Sequence, residues 1–322
     1  MTPIPRQETF EQFMTRCLHD PEQGYYSQNI RGIGSRGDFT TAPQLSEAPA
    51  KAIAAWARQA FRAHRTNNLI EIGPGMGTLA GQVLQHLPMH IRFRTKLHLV
   101  DSSQTLAVRQ KAGLRNKANY HRTIQEALSA CKGRAVIYSN ELVDAFPVKL
   151  FEKTSDSWAE VCLNHSSATG VPEEYLCRSA ELPPSSIFDQ LFQTSQRVEI
   201  HDSYRLWLKS WLPGWQTGEM LTIDYGNLAK DLYYRRPGGS LRAYFHHQIF
   251  EGNSVYQHPG KQDITADVNF TDLIQWSKPW LTSEMPVSLA TFIRCNTEYV
   301  CEPILGAADH FMVLRQVIRE KI

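Results

Sequence analysis

The sequence predicts an α/β protein built on a doubly wound, mostly parallel sheet, and three observations carry that expectation. Apolar strand-like runs alternate with helix-length amphipathic stretches between residues 68 and 139. The first run, Leu69-Ile70-Glu71-Ile72, passes straight into Gly73-Pro74-Gly75-Met76-Gly77 and then into a helical pattern. The second run ends on an acidic residue, Asp101, where an open α/β sheet places its ligand-facing groups.

Taken in order, the first 45 residues are rich in Gly, Asp, Thr and aromatics, with a short helical pattern at Phe10, Phe13, Met14 and Cys17. A helix is expected from Ser46, with Ser46 as N-cap, because Ile53, Trp56, Ala57, Ala60 and Phe61 recur on one face. Residues 1–66 therefore form an N-terminal helical region. A strand at 68–72 follows, then a helix at about 77–87 with Leu79, Val83, Leu84 and Leu87 inward. The alternation continues with a strand at 96–101, a helix at about 103–114, a strand at 118–121, a helix at about 123–131 and a strand at 134–139. After Phe151 it stops. Residues 152–200 carry Ser/Thr/Pro/Glu punctuation and short strand-like pieces, read as an insertion covering the substrate site. A helix at about 203–212 and a strand at 219–224 resume the core, which thus comprises 67–151 and 201–322. The remainder reads as antiparallel strands and loops, with a last strand near 310–318.

Composition narrows the function classes. The chain has 322 residues, 42% apolar and 20% charged, as ordinary globular proteins do. A net charge of +2 gives no field that would advertise nucleic acid as the partner. No apolar stretch approaches the roughly 20 residues of a membrane span. The six cysteines are scattered without a C-x-x-C pair, which predicts reduced thiols and no structural metal. The first residues show neither a hydrophobic signal core nor an Arg/Ser-rich presequence, so a cytoplasmic, bacterial-type protein is expected.

The glycine run carries cofactor information. Glycine permits the sharp turn and removes side chains that would block a nucleoside, and the following helix presents unpaired N–H groups. A dinucleotide fingerprint requires a glycine at position 78, which is Thr78 here. The shorter spacing after Glu71 suits S-adenosyl-L-methionine, which has no pyrophosphate. Alone, the run is also compatible with a tight turn that binds nothing. Asp101 is placed to accept from ribose hydroxyls in nucleotide and adenosylmethionine sites alike. The fourth strand leads into Asn140-Glu141-Leu142-Val143-Asp144, whose amide and carboxylates suit an amine or cationic nucleophile. For Asp144 a helix-capping role is the competing reading.

In these segments the chain resembles the MidA family of class I adenosylmethionine-dependent methyltransferases, which includes a mitochondrial assembly factor that methylates an arginine. The matching stretches are Asp20-Pro21-Glu22-Gln23-Gly24-Tyr25-Tyr26, residues 37–43, residues 71–79, residues 140–148, Ile223-Asp224-Tyr225-Gly226, residues 239–244, and Pro259-Gly260 with Asp263-Ile264-Thr265-Ala266. The resemblance implies a Rossmann-like methyltransferase fold and a cofactor site of Glu71, Gly73, Pro74, Gly75, Gly77, Asp101 and Ser102. A loop bearing Asp38, Thr41 and Pro43 is implied to close over that site. Asn140, Glu141 and Asp144 would hold and activate the nucleophile, with Asp224, Tyr225, Arg242, Tyr244 and His246 on the substrate side. Three departures stand out. Gln44 replaces the family's usual Glu, Asp267 its usual His, and the stretch after Phe270 is short. The expected activity is methyl transfer to a protein side chain, arginine foremost. The alternatives are an assembly protein without chemistry and a small-molecule methyltransferase; Thr78 argues against an NAD-linked oxidoreductase.

Overall fold

Strand-like runs of the sequence pair side by side in the computed structural model, which describes residues 7–29, 46–165, 171–178, 181–298 and 310–319. Strand β2 (Asn68–Ile72) lies parallel between β3 (Lys96–Val100) and β5 (Val136–Asn140). Beyond β3 is β4 (Ala118–His121), and beyond β5 is β10 (Glu219–Asn227), both parallel to their neighbours. Strand β17 (Phe311–Ile318) then runs antiparallel to β10, and β15 (Leu281–Ser283) antiparallel to β17. The result is a mixed sheet of order β15-β17-β10-β5-β2-β3-β4, with β14 (Val268–Asn269) beside β10 and β16 (Val287–Ser288) beside β17.

The central strands are apolar on both faces, so both faces must be covered. Leu69, Leu97, Val136 and Leu221 pack against helices α2 (Ala48–His64), α3 (Thr78–His86) and α8 (Leu289–Asn296). Ile70, Ile72, Ile137 and Met220 pack against α5 (Ile124–Ala130), α6 (Asp202–Trp211) and α7 (Phe270–Ser277). Helix α4 (Gln104–Leu114) starts at Ser103, whose hydroxyl accepts from the Leu106 N–H. Helix α2 begins one residue later than expected. Its N-cap is Glu47, without a side-chain cap bond, and the Ser46 hydroxyl instead accepts from the Ala48 N–H at 3.1 Å.

The region after residue 224 departs from the expectation of strands and loops, because α7 and α8 are helices of eight residues each. Two turns hold too few apolar positions to show a helical period. Their caps, Asn269 and Ser288, were the legible signals.

A second, antiparallel sheet joins β1 (Gln7–Thr9), β7 (Trp158–Asn164), β6 (Lys149–Lys153) and β9 (Arg197–Ile200), with β8 (Glu173–Arg178) on β7. Residues 152–200 thus share a sheet with a strand from the start of the chain. Helix α1 (Phe10–His19), opened by a Thr9–Gln12 capping box, buries Phe10, Phe13 and Leu18 with Leu150, Val161 and Leu163. A small sheet of β12 (Gln248–Phe250), β11 (Arg242–Phe245) and β13 (Asp263–Thr265) adds Ala243 and Ile264 to that cluster. Among the described residues, no helix is long and apolar enough to cross a membrane.

Candidate active site

The carboxyl ends of β2, β3 and β5 open on one cavity of about 710 Å³, within the usual range of small-molecule sites. Its wall includes Glu71, the backbone from Gly73 to Gly75, Asp101, Ser102, Asn140, Glu141 and Asp144. These residues come from three strand ends and are separated by up to 73 positions in the chain, counted from Glu71 to Asp144.

The turn after β2 needs its glycines. Gly73 has φ +65, and a Cβ there would stand 2.7 Å from Leu142 Cδ1. Gly77, with φ +76, is the N-cap of α3 and lies just outside the cavity wall. The turn is tied to Asp101 by Gln110, whose side-chain amide donates to the Gly75 carbonyl at 2.9 Å and to the Asp101 carboxylate at 2.8 Å. Asp101 also accepts from the Ser103 N–H at 2.8 Å. Burial pushes its carboxyl up to about 6 against these two bonds. Glu71 is buried beneath the turn, takes a 2.9 Å bond from the Tyr138 hydroxyl, and is pushed up to about 8 by burial.

The turn after β5 is held differently. Glu141 adopts φ +51, its N–H donates to the Ile223 carbonyl, and its carboxylate accepts from the Asn140 amide at 2.9 Å. Asp224 fixes this turn from β10. Its carboxylate accepts from the N–H groups of Leu142 (3.1 Å), Val143 (2.8 Å) and Tyr225 (3.0 Å), and burial pushes it up to about 7 despite them. Asp144 is only 6% exposed, and its Oδ1 has no hydrogen-bond partner among the described residues. Burial, then the negative charges of Asp224, Asp263 and Glu141, hold its carboxyl well above the ordinary range, with Arg242 opposing them.

The structure does not bring the expected substrate-side residues to the cavity wall. Asp224 is a buried brace for the 141–144 turn. Tyr225 packs on Phe311 with ring centroids 3.8 Å apart, and Arg242 lies over the Tyr225 ring at 5.8 Å. Tyr244 sits on β11 opposite Asp263 of β13. His246 and His247 form the tip of the β11–β12 hairpin, both at positive φ and exposed, so His246 is corrected from pocket lining to turn residue. Asp267 is buried and forms ion pairs with Arg236 and Arg242, so a salt-bridge hub occupies the position where an imidazole was expected. Asp38, Thr41, Pro43 and Gln44 lie outside the described residues.

Other wall residues carried no sequence-level assignment. Tyr26, His19 and Thr15 reach the cavity from the N-terminal region, Asp263 from β13, and Phe146 and Trp207 from the β5 turn and α6. No described residue of 152–200 lines it. Tyr26 and Asp263 lie in segments that matched the family, and nothing local to either segment shows that they meet.

A family model of S-adenosyl-L-methionine-dependent methyltransferases matches residues 52–285, most of the chain. The chain belongs to this family. Its curated relatives include the bovine mitochondrial protein arginine methyltransferase NDUFAF7, 26% identical over 318 residues that cover 89% of this chain and 69% of that protein. The Caenorhabditis elegans homologue of the same name, also mitochondrial, is 28% identical over 302 residues, covering 81% and 66%. Among solved structures, a Burkholderia thailandensis protein bound to S-adenosyl-homocysteine superposes with a TM-score of 0.83 over 97% of this chain and 88% of that one, at 24% identity. These relatives overturn the expectation of a cytoplasmic protein, since the curated ones are mitochondrial. The methyltransferase takes S-adenosyl-L-methionine as cofactor. Its residues fit that group. Gly73 and Gly75 put backbone without side chains on the cavity wall, and each Asp101 oxygen, already taking one bond, keeps a lone pair for a hydroxyl.

Proposed function

We propose that this methyltransferase modifies a nitrogen of a protein side chain, with the arginine guanidinium the favoured acceptor. One observation carries the reading: the Asn140, Glu141 and Asp144 side chains line the same cavity as the glycine turn and Asp101. The names of the relatives, protein arginine methyltransferases, support it. On this reading the core strands are a Rossmann-like, class I unit formed by 67–151 and 201–322. Residues 1–66 reach its acceptor side through Thr15, His19 and Tyr26, and the insertion 152–200 packs behind them in the sheet that holds β1. When bound, the cofactor supplies an electrophilic methyl group on a sulfonium.

The protein's task is then to orient the acceptor nitrogen and to receive its proton. Glu141, oriented by the Asn140 amide, is the group assigned to that proton. A guanidinium has a pKa above about 12, so it arrives charged and requires carboxylates to hold it. Asp144 suits that requirement, because a cation beside it would relieve the repulsion it meets from Asp224, Asp263 and Glu141.

Transfer of labelled methyl from S-adenosyl-L-methionine into a lysate lacking the endogenous protein tests the reading. Label should enter protein and be released by hydrolysis as methylarginine. Glu141→Ala should lower the signal ~100-fold or more, the scale of a lost general base, while S-adenosyl-homocysteine still binds. Label confined to small molecules would overturn the protein acceptor.

A further inference from the structure

We propose that the end of the sheet opposite the active-site cavity docks on an anionic lipid membrane, through exposed lysines and arginines with Phe93 as the apolar anchor. The inference is independent of which acceptor is methylated.

The surface forms where the parallel strands begin. Arg65 follows α2, Arg94 and Lys96 lead into β3, Lys117 leads into β4, and Lys132 and Arg134 lead into β5. All six are exposed. The loops that carry them are bonded side by side. The Asn67 amide donates to the Arg94 carbonyl, and the Asn67 carbonyl accepts from the Lys96 N–H at 2.8 Å. Thr66 and Asn68 both donate to the Arg134 carbonyl, at 3.1 and 2.8 Å. Ala118 is the register partner of Leu97, which sets Lys117 beside Lys96. From β5 through β2 and β3 to β4 is three strand spacings, roughly 15 Å. The charges therefore fall within about two screening lengths and act as one field.

The segments 65–67, 92–96, 115–117 and 131–135 contain no Asp or Glu. Strand β10 starts beside them with Glu219, but Arg315, His64 and Trp56 hold that carboxylate. Among the described residues, the ion pairs engage other cations and none of these six. The chain balances 34 Lys and Arg against 32 Asp and Glu, so gathering cations at one end gives the molecule a polarity that its net charge conceals. A helix end favours a cation, which accounts for Arg65 beside α2 and Lys132 beside α5. It does not account for Lys96, which opens a strand.

Phe93 decides between kinds of anionic partner. It is 78% exposed between Arg92 and Arg94, and Met89, one turn earlier, is 65% exposed. The Arg92 guanidinium lies over the Phe93 ring at 5.9 Å. At a bilayer surface such a ring enters the boundary of the acyl chains while its basic neighbours meet lipid phosphates. A highly acidic polypeptide satisfies the cations but offers the ring little apolar surface. Strands β2, β3 and β5 are five residues long, so the cavity at their carboxyl ends opens roughly 17 Å away from this surface. A membrane held at the amino ends leaves that cavity facing water.

The test is co-sedimentation of the full chain with vesicles of phosphatidylcholine, and with vesicles in which phosphatidylglycerol replaces a third of that lipid. Binding to the anionic vesicles should be ~10-fold or more tighter, the scale of several basic residues at a charged surface. It should fall to the neutral-vesicle level in about 1 M salt, where the screening length is about 3 Å. Arg94→Gln and Lys96→Gln should each weaken it about fivefold, the scale of one basic residue. Phe93→Ser should weaken it several-fold with the salt dependence of wild type, because it removes apolar burial and no charge. All three variants should keep wild-type S-adenosyl-homocysteine affinity by calorimetry, which separates lost docking from misfolding. Equal binding to the two kinds of vesicle would overturn the proposal, as would wild-type binding by the double variant Arg94→Gln, Lys96→Gln. Capture by poly-glutamate without capture by anionic vesicles would overturn the membrane as occupant and assign the surface to an acidic protein.

Discussion

The two ends of the cavity are assembled from very different lengths of chain. At one end, the turn from Gly73 to Gly77 and Asp101 are linked by Gln110, and all lie within 38 positions, counted from Gly73 to Gln110. At the other, Asn140, Glu141 and Asp144 are held by Asp224, and Asp263 is aimed by Tyr26. The first end is a strand–turn–helix whose geometry follows from glycine at positive φ, joined to the Ser103-capped helix that carries Gln110. The second depends on contacts between elements that meet only when the whole chain folds. Local construction makes the first end robust to changes elsewhere, whereas the second inherits the stability of β10, β13 and the N-terminal region.

That contrast is tested most severely by Asp224→Ala. Three N–H donors, that of Val143 buried and those of Leu142 and Tyr225 partly so, would lose their acceptor, at roughly 1–3 kcal/mol for a fully buried one. Unfolding by denaturant should show a loss of about 3 kcal/mol or more, and methyl transfer should fall ~100-fold as the 141–144 turn loosens. Calorimetry should still find S-adenosyl-homocysteine affinity within a few-fold of wild type. A parallel collapse of that affinity would show that the two ends are not independent.

A smaller effect is expected from Asp101→Asn, which keeps an oxygen for the Ser103 N–H but removes the charge. Cofactor affinity should drop about tenfold, near 1.4 kcal/mol, while turnover at saturating cofactor stays within a few-fold of wild type. Little change in the unfolding midpoint should accompany it.

The mildest effect is on pH dependence. Burial raises Glu71 to about 8 in the folded chain, against roughly 4.3 when unfolded. The folded state therefore holds the extra proton between those values. Its stabilising contribution is complete below about 4.3 and is lost as pH rises through 8. Asp101 acts in the same direction up to about 6. Thermal unfolding of the apo protein from pH 5 to 8.5 should show Tm falling less steeply in Glu71→Gln than in wild type. An unchanged slope would place the titration elsewhere.

Particular residues show how far the sequence was legible. The strand at 68–72 stands where the apolar pattern put it, since buried parallel strands read as continuous apolar runs, whereas the partly exposed Ala-Asn-Tyr-His strand at 118–121 was legible only from its place in the alternation. The glycine turn, Asp101 and the 140–144 turn were readable because each follows a strand end. Gln110 was not, because an amide on a weakly amphipathic helix gives no signal of facing Asp101. His246 was misplaced for a related reason. Tyr244 and His246 share a strand parity only if the strand continues, and the chain turns at His246 instead.

What the sequence by itself determined is the sheet's alternation and the cofactor turn, because period, glycine conformation and capping act over a few residues. Only the tertiary structure decided that Tyr26 meets Asp263, that Asp224 braces rather than lines the cavity, and that Asp267 captures Arg242. Such pairings depend on which buried polar groups find partners once elements are packed, and a buried carboxylate must be satisfied by whatever donor the fold delivers.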